Sequence, residues 1–193
     1  MKEKEVLFLL TDNWADWEAC HAMAEISFTD EYVTKTIGIN KQPKASIGGI
    51  RAEIDYAIAE YQNLDNLAML VLVGSFSWRK NRYDEIAGLV KKASEAGIPV
   101  AAICGATVFL ARHGFLNSVK HTSNGKERLQ DEEAYTGLAH FVSAQAISDG
   151  GFITANETAA LEFTREILRT LETDTDEEIN QWYERHKHGL AGE

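Results

Sequence analysis

One cysteine sits where chemistry could be done. Residues 98–103, IPVAAI, form a short apolar run introduced by Gly97 and carrying Pro99. That is the pattern of a parallel strand covered on both faces. Residues 106–112 carry apolar side chains at helical spacing, and only Cys104 and Gly105 stand between the two patterns. A side chain at such a turn is held at the carboxyl edge of the sheet, where open α/β sheets bind their ligands. It also sits at a helix N-terminus, where unpaired N–H groups and the helix dipole favour negative charge. The expectation for Cys104 is a depressed pKa and more thiolate. Gly105 lets the backbone approach closely, so the N–H groups that follow can face a developing oxyanion. The device matches the G-x-S-x-G elbow in mechanics, with A-I-C-G-A in its place. The plainer alternative is a buried cysteine acting as a small hydrophobe.

Two further strand ends should meet this one. The first, near residues 10–13, leads into a helix whose first turn carries Glu18. A protonated carboxyl beside a thiolate donates a hydrogen bond to it; two charged groups repel and titrate as a unit. A first-turn glutamate also suits the helix dipole without any further role. The second, near residues 73–75, offers the backbone N–H groups of Gly74 and Ser75. His121, at the end of a short strand, is the candidate general base, although strand-end histidines commonly serve as hydrogen-bonded structure. Cys20 and His21 follow Glu18 but point to different helix faces, so no metal site is expected. Nor is a cofactor: the sequence has no phosphate-binding glycine loop and no metal motif. Trp14, Trp17 and Trp78 could wall a pocket or fill the core. His186 and His188 lie in a polar tail and read as solvated.

The elements that must position these groups alternate. Strands are expected at 5–10, 32–39, 67–73, 98–103, 119–122, 141–148 and 152–155. The last two are joined by Asp149-Gly150-Gly151, a hairpin signal. Helices are expected from Trp14 or Asp16 to Ile26, with Thr11, Asp12 and Asn13 available as caps, and over 83–96, 106–112, 126–133 and 157–171. In residues 83–96, Ile86, Leu89, Val90 and Ala93 form one stripe and Gly97 ends the helix. Residues 41–46 and 77–82 read as loops, 47–55 as a hairpin or irregular excursion, and 55–61 as a short helical turn. Residues 1–172 form one domain, and 173–193 a charged helical tail that packs back or meets a partner through Ile179, Trp182 and Tyr183. This order gives a doubly wound, mostly parallel sheet.

The composition narrows the function classes. A chain of 193 residues with 45% hydrophobic and 25% charged residues suits one soluble domain. Its net charge of −11 argues against nucleic acid or an anionic membrane as partner. Two cysteines make no disulfide framework, which favours a reducing compartment. The apolar run at 6–10 is too short for a signal segment, and no stretch is long enough to span a bilayer. A cytoplasmic protein is expected.

D-W-E at 16–18, V-L-V-G at 71–74, A-A-I-C-G-A at 101–106 and D-G-G-F-I-T-A-N-E-T-A-A-L-E-F at 149–163 together resemble the ThiJ/PfpI superfamily. The resemblance spans roughly residues 4–172, and the fold is shared with class I glutamine amidotransferases. It implies an α/β, flavodoxin-like three-layer sandwich. It implies that Cys104 is the reactive thiol with Glu18 hydrogen-bonded to it. Gly74 and Ser75 match the strand-end positions that supply oxyanion N–H groups, and Gly105 matches the residue after the nucleophile. Members described as intracellular proteases carry His directly after the nucleophile, where this chain has Gly105. Some carry His in the turn after the next strand, where this chain has Asn124, with His121 three residues earlier. Ser75 replaces a commoner second glycine. These departures weaken a peptidase or full amidotransferase assignment.

The expected function is a cysteine-dependent hydrolase or amidotransferase-like enzyme acting on a small carbonyl or amide substrate. Related members act on glyoxal-type aldehydes. The alternatives are a stress-response or redox sensor whose Cys104 oxidises to a sulfinate, and a binding or chaperone-like module. The expected partners are a small-molecule substrate and a second copy of the chain, since relatives commonly dimerise and the tail has apolar residues to bury.

Overall fold

The computed structural model describes residues 4–79 and 81–190. Its strands are β1 (Lys4–Leu9), β2 (Tyr32–Gly38), β3 (Lys44–Ala45), β4 (Arg51–Ala52), β5 (Tyr56–Ala57), β6 (Leu67–Leu72), β7 (Val100–Ile103), β8 (Ala146–Asp149) and β9 (Phe152–Ala155). Its helices are α1 (Asp16–Ile26), α2 (Asp84–Glu95), α3 (Gly105–Arg112), α4 (Glu127–Gln130), α5 (Ala160–Leu171) and α6 (Asp176–His188).

Along β1, Val6 and Phe8 join one core cluster while Leu7 and Leu9 join another, and all four are fully buried. A strand buried on both faces needs a covering layer on each. On one side Val6, Phe8 and Val71 pack with Ala19 and Ile26 of α1, Phe163 and Ile167 of α5, and Ile179 and Trp182 of α6. On the other, Leu7, Leu9, Leu70 and Leu72 pack with Ile86, Leu89 and Val90 of α2 and Phe109 and Leu110 of α3. Each large apolar side chain so buried contributes roughly 1.5–3 kcal/mol. The result is the expected three-layer α/β sandwich.

Seven strands form the main sheet in the order β5-β2-β1-β6-β7-β9-β8. β8 is antiparallel to β9 and every other pair is parallel. The inner order β2-β1-β6-β7-β9 is the flavodoxin-like one. It reverses direction between β1 and β6, the place where such sheets open a crevice. Gly74 and Ser75 follow the carboxyl end of β6, and Cys104 and Gly105 that of β7, at this edge.

Several local expectations change. Residues 55–61 begin as edge strand β5 because Asp55 accepts from the Thr36 N–H at 2.8 Å and lays Tyr56 and Ala57 beside β2. Residues 47–55 contribute β4, which pairs antiparallel with β3 as a separate two-stranded ribbon. Asp16 pins this ribbon, accepting from the Ser46 hydroxyl at 2.7 Å and the Gly48 N–H at 3.1 Å. Residues 119–122 make no strand, only a bridge from His121 to Phe141, and the strand expected over 141–148 is reduced to β8. The helix expected at 126–133 shrinks to α4. α5 starts at Ala160, because Asn156 takes the Thr158 N–H at 3.0 Å in a turn of its own. Thr11, Asp12 and Asn13 do not cap α1, which has no side-chain cap. Their groups go elsewhere: the Ser75 hydroxyl donates to the Asp12 carbonyl at 2.8 Å, and the Ser77 hydroxyl to the Thr11 hydroxyl at 2.7 Å.

The tail packs back. α6 opens with a capping box of Thr175 and Glu178, and Ile179 and Trp182 are buried against the body. Lys187 Nζ lies 2.7 Å from Glu162 Oε1, and the Tyr183 hydroxyl donates to the same oxygen at 2.8 Å. Two apolar residues that suggested a dimer contact are thus spent within the chain.

Candidate active site

The elbow is built from backbone strain and three fastenings. Cys104 has φ 57° and ψ −125°, a conformation that costs an L residue about 1–3 kcal/mol. Its N–H donates to the Ala155 carbonyl of β9 at 3.0 Å. Its carbonyl accepts from the Thr107 N–H at 3.1 Å and the Thr107 hydroxyl at 2.6 Å. The Thr107 hydroxyl is itself 2.6 Å from that of Ser123. The thiol is thereby fixed at the end of β7, next to the end of β6.

Glu18 reaches the thiol from α1. It is 1% exposed. Its carboxyl occupies the room beside the α-carbon of Gly74: a methyl group there would collide with Glu18 Oε2 and lie 2.8 Å from Cys104 Cβ. Among the described residues neither carboxyl oxygen has a fully formed hydrogen bond; the groups that face it are the Cys104 thiol and the Gly74 N–H. Burial lifts the Glu18 pKa to about 7, against the pull of those two contacts and with a small push from Glu157.

The Cys104 thiol is also pushed up, to about 11. Burial is the first cause and the Glu18 charge the second, while the Asn124 amide and the Gly105 N–H pull the other way. This corrects the expectation of a depressed thiol: the helix N-terminus is there, but loss of water and a neighbouring carboxylate outweigh it. The pair therefore shares protons as a unit. Protonating Glu18 removes the repelling charge and turns the carboxyl into a donor.

Asn124 closes the other side. Its Nδ2 donates to Cys104 Sγ at 3.4 Å and to Glu157 Oε2 at 2.8 Å, and the Glu157 N–H returns a bond to Asn124 Oδ1 at 2.8 Å. His121 is not brought to the thiol. It is fully buried, with Nδ1 2.7 Å from the Val119 carbonyl and Nε2 2.7 Å from the Tyr135 hydroxyl. Burial lowers its pKa. Both ring nitrogens are occupied in structure, so His121 is not placed as the base.

The half-buried Cys104 faces a cavity of about 200 Å³, and Glu18 lies at its buried wall. Trp17, Ile47, Phe76, Trp78 and Val108 supply apolar wall; Ser75, Gly105, Asn124, Glu157, Arg79 and Arg128 supply polar groups. Trp14 instead lies in the core, its indole N–H on the Lys44 carbonyl at 3.3 Å. The N–H groups of Gly74, Ser75 and Gly105 are not spent on any backbone carbonyl among the described residues. Cys20 and His21 do not line the cavity. A shallower groove of about 790 Å³, lined in part by Thr122, Ser143 and Thr158, meets it at Asn124 and Glu157.

Residues 4–170 match the DJ-1/PfpI family. The chain belongs to it. It is 36% identical over 187 residues to a Bacillus subtilis protein named Uncharacterized protease YdeA, covering 97% of this chain and 93% of that one. A second Bacillus subtilis protein, named Uncharacterized protease YoaZ, is 30% identical over 97% of this chain and 92% of its own length. The crystal structure of a thiJ/pfpI family protein from Bacillus anthracis superposes with a TM-score of 0.89 at 30% identity, covering 97% of this chain and 92% of that one.

Within the DJ-1/PfpI fold, this chain's Gly105 has a physical reason. A Cβ there would lie 2.9 Å from the Ser75 carbonyl and 3.3 Å from the Trp78 ring. Trp78 is fully buried, with its indole N–H on the Val73 carbonyl at 2.8 Å, so a histidine after the nucleophile has no room. The sequence reading missed Glu157, Arg79 and Arg128, and noted Asn124 only as a missing histidine. Glu157 lies inside the segment that carried the resemblance; the two arginines left no signal beyond their charge.

Proposed function

We propose that this DJ-1/PfpI chain is a cysteine-dependent hydrolase acting on a small carbonyl or amide substrate. The observation that carries the reading is the strained Cys104 elbow, with Glu18 against its sulfur, opening into a small walled cavity. The names of the Bacillus subtilis relatives support the hydrolytic class.

Glu18 takes the thiol proton, and the sulfur adds to the substrate carbonyl carbon. The carbonyl π pair moves onto oxygen, which in this reading the Ser75 and Gly105 N–H groups hold; the Gly74 N–H faces Glu18 instead. With an amide, the oxyanion collapses, the C–N bond breaks, and Glu18 returns its proton to the leaving nitrogen. Water then attacks the thioester, Glu18 takes the water's proton, and that proton returns to sulfur as the acid leaves. With an aldehyde, the first addition ends at the hemithioacetal, whose oxygen takes the proton from Glu18. A carboxyl at about 7 suits both directions of transfer near neutral pH.

The test is a turnover screen of short amides and esters, with adduct formation followed for small aldehydes, in wild type, Cys104→Ser and Glu18→Gln. Turnover that falls at least about a hundredfold in both variants supports the reading. A rate equal in wild type and Cys104→Ser overturns it.

A further inference from the structure

We propose that the Cys104 cavity selects small carbonyl compounds that carry a carboxylate, short amides and oxo acids alike, with Arg79 and Arg128 reading the carboxylate while the apolar wall holds a short hydrocarbon chain. The inference rests on the reading of this cavity as the active site and names its substrate class.

The charge distribution is the first observation. The chain has a net charge of −11, and Arg82, Arg112, Arg165 and Arg169 all lie in ion pairs. Arg51, Arg79, Arg128 and Arg185 form none among the described residues, and two of these four line the same cavity of about 200 Å³. Arg79 is held at the mouth, with its guanidinium 6.0 Å from the centroid of the Phe76 ring. A guanidinium without a carboxylate offers a planar fork of donors matched to a carboxylate ligand. Opposing charge comes from Glu157, whose carboxylate already accepts from Asn124, from the buried Glu18, and from Asp131 and Glu133, which line a neighbouring groove with Arg79.

The wall is the second observation. Trp17, Ile47 and Phe76 are 48%, 40% and 59% exposed, so apolar surface at the cavity faces solvent, uncovered by the described residues. The cavity is smaller than the roughly 300–1,000 Å³ typical of drug-sized ligands. A ligand that satisfies guanidinium, apolar wall and nucleophile together is a short-chain carboxylate with a reactive carbonyl.

The experiment uses the full chain carrying Cys104→Ser, so that binding is read without turnover. 2-Oxoisovalerate and its methyl ester share one carbon skeleton and differ in charge. Their binding is followed by calorimetry, with quenching of the indole emission as a second readout. The acid is expected to bind about tenfold more tightly than the ester. Adding Arg79→Gln and Arg128→Gln together should erase that preference and leave ester binding within about twofold, which also shows that the cavity is intact. Equal binding of acid and ester before the arginines are changed, or equal weakening of both by the arginine changes, overturns the inference. The two readings fail separately. Acid preference with no turnover by wild type leaves the selectivity standing and removes the hydrolase. Turnover of neutral substrates without acid preference does the reverse.

Discussion

The carboxyl of Glu18 fills the space left by the missing side chain of Gly74. Helix α1 and the end of β6 come together at this one point, and Cys104 closes it from β7. A glycine is required at 74 for what must lie beside it rather than for its backbone angles.

Gly74→Ala should therefore expel the carboxyl while the sheet persists. Overpacking of this kind costs about 1–3 kcal/mol, and turnover should fall at least about a hundredfold with loss of the proton-transfer group. Adding Glu18→Ala should recover part of that stability, since the contact with Cys104 Cβ remains, without restoring activity. If Gly74→Ala retains full turnover, the close approach of Glu18 to the thiol is not what activates it.

The coupled pair predicts the alkylation profile. In wild type, iodoacetamide should react with Cys104 slowly at pH 8 to 9, because burial and the Glu18 charge hold the thiol up at about 11. Glu18→Gln imitates the neutral acid at every pH. It should lower the thiol's apparent pKa and speed alkylation in that range, while Cys20, which Glu18 does not shift, stays the same. Slower alkylation in the variant would mean that the Glu18 charge is not what holds the thiol up.

The same carboxyl predicts a stability trend opposite to that of an ion-paired glutamate. Its pKa rises from 4.5 to about 7 on folding, so between these values the folded chain keeps a proton that the unfolded chain has lost. Stability should fall as pH rises from about 4.5 to about 7, by on the order of 3 kcal/mol. Glu18→Gln should then gain on wild type by that amount between pH 5 and pH 8 in denaturant titrations. A constant difference would show that Glu18 is not perturbed.

Glu162 behaves the other way. Burial alone would raise its pKa, but the hydrogen bonds from Lys187 and Tyr183 outweigh burial and hold it below the usual carboxylate range. Its contribution is present above the unfolded value of 4.5 and is lost as pH falls through the lower folded one. At pH 7, Glu162→Gln should cost about 1–3 kcal/mol and open α6 to proteolysis, with turnover preserved. Unchanged digestion of the tail would mean that Ile179 and Trp182 hold it unaided.

The strand, the turn and the helix around Cys104 were legible because they are contiguous; an apolar run, two residues and a helical stripe need no distant partner. Glu18 was legible through its place after the first strand. The level of the thiol pKa was not, since the helix dipole can be read locally while burial depends on how closely α1 approaches Gly74. Asn124 and Glu157 were illegible for a related reason: they lie far apart in sequence and meet only where two loops cross the sheet edge. His121 was misread because a strand-end histidine looks the same whether its ring faces a cavity or, as here, the Tyr135 hydroxyl.

The two-stranded ribbon of β3 and β4 belongs to no layer of the sandwich, yet it lends Ile47 to the cavity wall and is moored by Asp16. Part of the cavity wall therefore comes from outside the sheet edge that carries the sulfur. Changing Ile47 reshapes the wall while the sheet edge that carries the sulfur keeps its own contacts. For engineering, the exposed Ile47 and Ile50 are the positions of that segment to vary, since Ser46 and Gly48 are held by Asp16 and Gly49 has a positive φ.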